Sequence, residues 1–380
     1  MNIFDFIPDT LYSTIYTLTL CGMGFLMSIY YLSPSPSGIN KVHQYNKNEI
    51  LALLLGFLVI FFIGFRPISG VFVDMLMYDH VYNNIYGENT LYDSRGEWVF
   101  YLIGTTCKEF GLSDKMYFLI LSFIYYGCMI LACWRLMRRN LFLALIFCFT
   151  SFSCFSYGVN GLRNGIACSF TMLALTFMSK EKWKIVIALI LMFLAINIHR
   201  SSALPCICAI SACFFVKDTK WAIYFWIASI FISFIAGNYV TEFFVNLGFD
   251  DRMEQYANID EQGYVMESEN EKAGFRLDFI LYSIMPIIMV WYVTIKRNFK
   301  DLTYHIIATT YILANAFWIM VIRSEQSNRF AYLSWFLYPL VIAYPLLRMN
   351  IWEDQDRKTG LILLAYSGFT FFMQFIYYGR

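Results

Sequence analysis

Long apolar runs, separated by short polar turns, follow one another along most of the chain. Apolar runs of roughly 18–22 residues are long enough to cross a bilayer core about 30 Å thick. The pattern therefore predicts an all-α polytopic membrane protein with about 12 transmembrane helices in a single integral membrane domain, 1–380. The predicted spans are 10–32, 49–66, 115–137, 140–157, 160–178, 183–200, 202–216, 220–243, 277–296, 301–322, 328–347 and 359–378.

Two longer segments interrupt this alternation of spans and turns. The first is 67–114, within which the apolar stretch 97–111 is too short to span and carries Lys108 and Glu109. We predict a partial helix there, half-buried or re-entrant, because irregular structure at membrane depth is tolerated where protein covers it. The second segment, 247–275, is strongly acidic. Both are predicted to be loops on the outer face of the membrane.

The composition supports a membrane protein and excludes several other classes. Of the residues in the chain, 59% are hydrophobic and only 14% are charged. In soluble domains about a quarter of all residues are charged. A net charge of +1 without a basic arm or patch gives no sign of nucleic-acid binding. The first ten residues hold Asp5 and Asp9 but no base, unlike a signal-peptide n-region, so we expect the first span to be retained. The cysteines and histidines show no metal-ligand spacing, so no metal or cofactor is expected.

Lysine and arginine in the short turns predict the orientation of the spans. Cytoplasmic loops of membrane proteins carry an excess of these residues. One alternating set of turns contains ten lysines and six arginines and is therefore placed in the cytoplasm, which leaves both termini outside. The opposite face holds nine arginines and three lysines, with the arginines concentrated at the ends of spans. Arginine suits planar, multi-donor recognition of phosphate or carboxylate, so an outer anion site is favoured over interfacial anchoring or acid pairing.

The clearest group of candidate residues lies in the helical hairpin 157–202. Two spans joined by a short basic turn return their far ends to the same face, which brings Arg163 and His199 to one side of the membrane. Ionisable residues inside a hydrophobic protein are functional candidates by default. The spacing of Tyr157, Asn160, Arg163 and Asn164 would put these side chains on one face if a helix begins near 157.

The second half of this hairpin ends in NIHRSS and leads into a further helix. Ser201 or Ser202 is placed to cap that helix, with Pro205 in its first turn. A helix N-terminus favours an anion, so His199, Arg200 and this terminus are expected to converge. His199 is the first choice for a general base; the alternative is an interfacial histidine bonded to a backbone carbonyl.

Three further groups of polar residues lie at the predicted outer ends of spans. GFRLD contains Arg276 and Asp278, and GFRPISGVFVD contains Arg66 and Asp74. IRSEQSNRF forms a tight predicted turn, whose charged and amide residues are Arg323, Glu325, Asn328 and Arg329.

These motifs together resemble a known family. GFRP, the pattern Gly70, Asp74, Tyr78, then NGLRNGIA, NIHRSS, GFRLD and NRFAYLSWFLYPL occur in the same order in the EpsG-like, Wzy-type exopolysaccharide polymerases of bacteria. The likeness covers roughly 50–350, and the ordered set is more specific than any single motif. One departure is that relatives commonly place Gly-Thr-Asp soon after the first arginine, where this chain has Asp74 after Gly70 and VFV.

The resemblance implies a metal-independent glycosyltransferase bundle of the C type with periplasmic loops. It implies polymerisation of undecaprenyl-diphosphate-linked oligosaccharide repeats at the outer face of the inner membrane. The implied partners are the lipid-linked donor and acceptor, the membrane and other components of polysaccharide export. The expected diphosphate-binding residues are Arg66, Arg163, Arg200, Arg276, Arg323 and Arg329. The expected bases are His199, then Asp74, Asp278 and Glu325, and the expected substrate contacts are Tyr157, Asn160, Asn164, Tyr78 and Asn328.

Two other functions fit the same residues less well. A flippase or transporter of lipid-linked oligosaccharide would also use cations along a cavity. However, the ionisable residues of this chain cluster at one face, and the sequence shows no paired broken helices from repeats. A membrane sugar acyltransferase would also use histidine and arginine, but no acyl-transfer motif is present.

Overall fold

The computed structural model describes residues 6–35, 40–43, 48–84, 96–179, 181–246, 276–323 and 328–377. Across these ranges the chain forms helices and no strand, which confirms the all-α class. The helices are α1 Tyr12–Leu32, α2 Glu49–Gly64, α3 Met75–Asn84, α4 Trp98–Glu109, α5 Asp114–Met137, α6 Leu141–Phe149, α7 Cys154–Val159, α8 Leu162–Leu175, α9 Lys182–Ile198, α10 Ala203–Phe214, α11 Thr219–Asn246, α12 Leu277–Val290, α13 Leu302–Met320, α14 Asn328–Trp335, α15 Tyr338–Arg348 and α16 Gln355–Phe372.

Six helical segments of the described residues are long and apolar enough to cross a membrane by length and composition. This supports a polytopic membrane protein, but the predicted count of about 12 spans is not confirmed. The six segments are Asp9–Leu32, Asp114–Phe149, Thr219–Gly237, Leu277–Lys296, Arg329–Arg348 and Gln355–Tyr377. Three other predicted spans are shorter apolar helices, Glu49–Gly64, Leu162–Leu175 and Arg200–Phe214. The partial helix expected at 97–111 is α4, which has 12 residues.

The predicted span 140–157 is not one continuous helix, and the predicted span 160–178 forms the shorter helix α8. The chain breaks after α6 and again between α7 and α8, where Asn160 is extended and Gly161 has a φ of +57°. Glycine adopts this left-handed conformation without the Cβ penalty of other residues. Gly165 then allows α7 to fold back on α8, because a Cβ there would lie 2.8 Å from the Tyr157 carbonyl oxygen.

The chain divides into two compact units. The first comprises 1–176, 187–199 and 343–380, and the second comprises 177–186 and 200–342. The acidic segment 247–275 lies outside the described residues.

Close helix contacts at small residues build the first unit. In the α1–α16 contact, a Cβ on Gly360 would lie 2.8 Å from Leu32 and 3.0 Å from the Ser28 carbonyl. Small residues let helix backbones approach in membrane proteins. Helix α2 packs on α5 in the same way, and the Ser122 hydroxyl donates to the Ile60 carbonyl at 3.0 Å.

The second unit is built around α13, which contacts α10, α11, α12 and α14. Asn315 of α13 is completely buried and joins three of these helices through hydrogen bonds. Its Oδ1 accepts from the Trp226 indole at 2.7 Å, and its Nδ2 donates to the hydroxyls of Ser283 and Ser334 at 3.1 and 2.9 Å. The amide is therefore satisfied on both sides, as a polar group in an apolar core must be.

Candidate functional site

Four polar side chains meet in the first unit and form what we call the Glu97 cluster: Tyr78, Glu97, Arg163 and His199. The Glu97 Oε2 lies 2.5 Å from Arg163 Nη1, and its Oε1 lies 2.6 Å from His199 Nδ1. Arg163 also donates from Nε to the Tyr78 hydroxyl at 3.2 Å. One carboxylate thus connects the arginine and the histidine that the sequence places at the far ends of two helices.

Local structure brings these residues together from four helices. Glu97 lies immediately before α4, and Tyr78 lies in α3. Arg163 is the second residue of α8, so the left-handed turn at Gly161 determines where its side chain starts. His199 follows the last residue of α9, and its N–H donates to the Ala195 carbonyl at 3.0 Å, which extends the helical pattern by one residue.

Burial makes the electrostatics of the cluster strong. The side chains of Glu97 and His199 are 6% and 10% exposed, whereas that of Arg163 is 25% exposed. Charges that are removed from water interact more strongly than surface pairs and must be compensated by partners. Arg163 is therefore the most exposed of the three charged side chains of the cluster.

Arg66 is in a different environment from Arg163. Its side chain is 1% exposed and donates to the carbonyls of Ile63 and Val159 at 2.7 and 3.4 Å. The rings of Phe72 and Phe118 each lie 5.4 Å from its guanidinium carbon. Within the described residues it makes no ion pair, and its Nε has no hydrogen-bond partner. Arg66 thus ties the end of α2 to the end of α7, just before the turn that leads to Arg163.

The shared helical face predicted for Tyr157, Asn160, Arg163 and Asn164 is wrong. The break at Asn160 and Gly161 separates the first two residues from α8. Tyr157 is 3% exposed in α7, and the Asn160 side chain accepts from the Gly161 N–H at 3.0 Å. The Asn164 amide oxygen accepts from the Cys168 thiol at 3.3 Å within α8. These residues remain near Arg163 in the chain but do not form one polar stripe.

The carboxylates proposed as alternative bases are placed differently. Asp74 lies just before α3, and no hydrogen bond or ion pair of its carboxylate to the Glu97 cluster occurs within the described ranges. Val73 beside it has a φ of 49°, a strained value for a β-branched residue. In α3 itself, burial and the nearby carboxylate of Asp114 raise the pKa of Asp79.

Asp278 is engaged by its own neighbour. Arg276 donates from Nε and Nη2 to the two Asp278 oxygens at 2.9 and 2.6 Å. The same guanidinium carbon lies 3.9 Å from the centroid of the Phe279 ring. This two-pronged pair belongs to the second unit, at the start of α12.

The remaining candidates also belong to the second unit. Arg200 is exposed and begins a 3-10 turn, Arg200–Ser202, that runs directly into α10. The cap predicted at Ser202 is not formed, because Ser202 is in the helical conformation and makes no side-chain cap bond. Arg323 lies beside Gly237, and Arg329 lies in the first turn of α14. Glu325 and the Asn328 side chain lie outside the described residues.

Sequence reasoning missed Glu97. The available signal was an acid in RGEWVFY, directly before the apolar stretch that forms α4. The sequence interpretation considered only Lys108 and Glu109 in this stretch. The adjacent Trp98 was missed as well; its indole donates to the Asn197 amide oxygen at 2.7 Å, two residues before His199. Both contacts join α4 to the end of α9, so the partial helix carries part of the site. Among the described residues, no group of three or more histidines, cysteines or acids is arranged to hold a metal ion.

Comparison with known proteins identifies one family. The family model described as EpsG family matches residues 49–380. No curated protein and no solved structure matches the chain.

Proposed function

The chain belongs to the EpsG family, and on that premise we propose that it is a polysaccharide polymerase of the bacterial inner membrane. It would join oligosaccharide repeat units carried on undecaprenyl diphosphate, with its site facing the periplasm. The diphosphate of the lipid-linked donor is already an activated leaving group, so the chemistry needs a base and a group that stabilises negative charge, but no activating cofactor.

The observation that carries this proposal is the contact of Glu97 with His199. A carboxylate bonded to Nδ1 holds the ring in one orientation and favours the tautomer with the proton on Nδ1. Nε2 is then the nitrogen that can accept a proton from the acceptor sugar hydroxyl. This is the arrangement that a general base requires, and the same carboxylate can stabilise the imidazolium once it forms.

The transfer proceeds in one displacement. The acceptor oxygen forms a bond to the anomeric carbon of the donor while the bond from that carbon to the diphosphate oxygen breaks. The hydroxyl proton passes to His199, and the bonding electrons leave with the lipid diphosphate. Arg163 stabilises the negative charge that grows on the departing oxygen, an electrostatic role. One such displacement inverts the configuration at the anomeric carbon.

The test is polymer formation by purified protein supplied with undecaprenyl-diphosphate-linked repeat units. Wild-type protein should lengthen the glycan, and His199→Gln should lower the rate by about 10²–10⁴-fold, the usual contribution of a general base. Glutamine can donate a hydrogen bond but cannot keep the proton at neutral pH. The matched control is His80→Gln, at an exposed histidine of α3, which should retain activity.

Two results would count against the proposal. Wild-type protein that translocates the lipid or acylates the sugar without lengthening the glycan is not a polymerase. A His199→Gln variant that polymerises near the wild-type rate would show that His199 only positions other groups.

A further inference from the structure

Glu97 holds two partners at once, one with each carboxylate oxygen. Arg163 is bonded at 2.5 Å and His199 at 2.6 Å, and the carboxylate is almost completely buried. In the described structure the guanidinium therefore already has an anion, supplied by the protein itself.

This arrangement conflicts with simple binding of a diphosphate to Arg163. Arg163 gives Nη1 to Glu97 and Nε to the Tyr78 hydroxyl, so a diphosphate that takes both prongs of the guanidinium must compete with these partners. A second negative group brought next to a buried carboxylate is also repelled, and burial strengthens that repulsion. Either the diphosphate binds elsewhere, or it takes Arg163 from Glu97.

We propose that Glu97 is a resident counter-ion, which the donor diphosphate displaces from Arg163 and which stays bonded to His199. The inference rests on the proposed function for the identity of the anion, a polyprenyl diphosphate. No covalent bond changes in this step; one ion pair is exchanged for another. Arg163 is the more exposed partner at 25%, so the exchange takes place at the accessible side of the cluster.

The exchange links donor binding to activation of the base. Before the donor arrives, the Glu97 charge is shared between Arg163 and His199. After the exchange, that charge no longer neutralises Arg163 and remains beside His199, where it stabilises the imidazolium that forms when the acceptor hydroxyl loses its proton. Glu97 is thus a positioning residue that weakens donor binding and promotes turnover.

These two effects have opposite signs, which makes them separable by experiment. Glu97→Gln keeps the size of the side chain and removes its charge. We expect the Kd for the lipid-linked donor to fall by about tenfold, equivalent to one modest ion-pair interaction. We expect kcat to fall by about 10²-fold or more, as for a carboxylate that orients a catalytic histidine.

The matched control is Glu109→Gln, which neutralises an exposed acid at the other end of α4 and should change neither quantity. Glu97→Asp provides a second variant if Glu97→Gln does not purify. Its shorter side chain should move Kd and kcat in the same two directions by smaller amounts.

A Glu97→Gln variant that binds donor more weakly and also turns over more slowly would overturn the proposal, since that is the outcome of lost structure. Unchanged binding would overturn it too. Binding of inorganic diphosphate, measured without acceptor, separates the two proposals. If wild-type protein makes no polymer but Glu97→Gln binds inorganic diphosphate more tightly, the counter-ion role holds and the polymerase function fails. If wild-type protein polymerises and Glu97→Gln binds no tighter, only the counter-ion role fails.

Discussion

At the scale of single residues, two arginines that look equivalent in the sequence have opposite environments. Arg66 is enclosed by aromatic rings and backbone carbonyls, whereas Arg163 is a quarter exposed and paired with a carboxylate. Arg66 therefore braces the backbone near the site, while Arg163 has the access that an anion-binding residue needs. Position at the end of a span indicates neither role by itself.

Substitution of Arg163 by lysine tests the need for a planar fork. Arg163→Lys keeps the charge but loses the planar guanidinium fork, so we predict a loss of polymer formation of about 10²-fold. Membrane insertion should remain normal. Arg139→Lys, at an exposed arginine after α5, serves as the control and should remain active. Wild-type rates from Arg163→Lys would favour a simple interfacial anchor instead.

At the scale of helices, contacts between chain segments determine where helices break, which the apolar pattern does not predict. The pattern predicted α1, α5, α9 and α11 to within a few residues, because length and hydropathy define a long apolar helix. It missed the break at Asn160 and Gly161, because the shared face of Tyr157 and Arg163 was predicted for a helix that begins near 157. A glycine tolerates a turn but does not require one, and the packing of α7 on α8 selects it here.

The close approach of α1 and α16 leads to a prediction on stability. Gly360→Val should lower the free energy of unfolding by about 1–3 kcal/mol, the range for an overpacked contact. The new side chain would meet Leu32 and the backbone at Ser28, which cannot move independently of α1. Thermal unfolding in detergent would measure the change. Gly368→Val in the same helix is the control, because no atom lies within 4 Å of a Cβ there. Equal effects of both substitutions would contradict a specific helix contact.

At the scale of the whole molecule, sequence alone predicted the class of protein and singled out Tyr78, Arg163 and His199 of the Glu97 cluster. Arg163 and His199 were singled out because a helical hairpin returns their helix ends to one face. The acid between them could not be found in this way. Glu97 comes from a segment about a hundred residues before His199, and only tertiary structure brings the two together.

Orientation in the membrane is a prediction that labelling can check. Ser268→Cys, in the acidic segment, should react with a membrane-impermeant thiol reagent from outside, and Lys182→Cys should react only from the cytoplasm. Labelling of the native cysteines should be low, because nine of the ten are buried. The tenth, Cys213, is only partly exposed. The reverse labelling pattern would place the Glu97 cluster on the wrong side for a periplasmic polymerase.

The contact between Glu97 and Arg163 has a consequence for selectivity among anions. Glu97 is held beside Arg163 by the fold, so it acts as an anion at a high effective concentration. Even a short flexible linker gives an effective concentration of about the millimolar range. Dilute chloride or phosphate from the surrounding fluid competes poorly against such a neighbour. A ligand confined to the bilayer is concentrated near the protein in the same manner and can match it. The cluster would thus bind a charged lipid head in preference to the same charge dissolved in water.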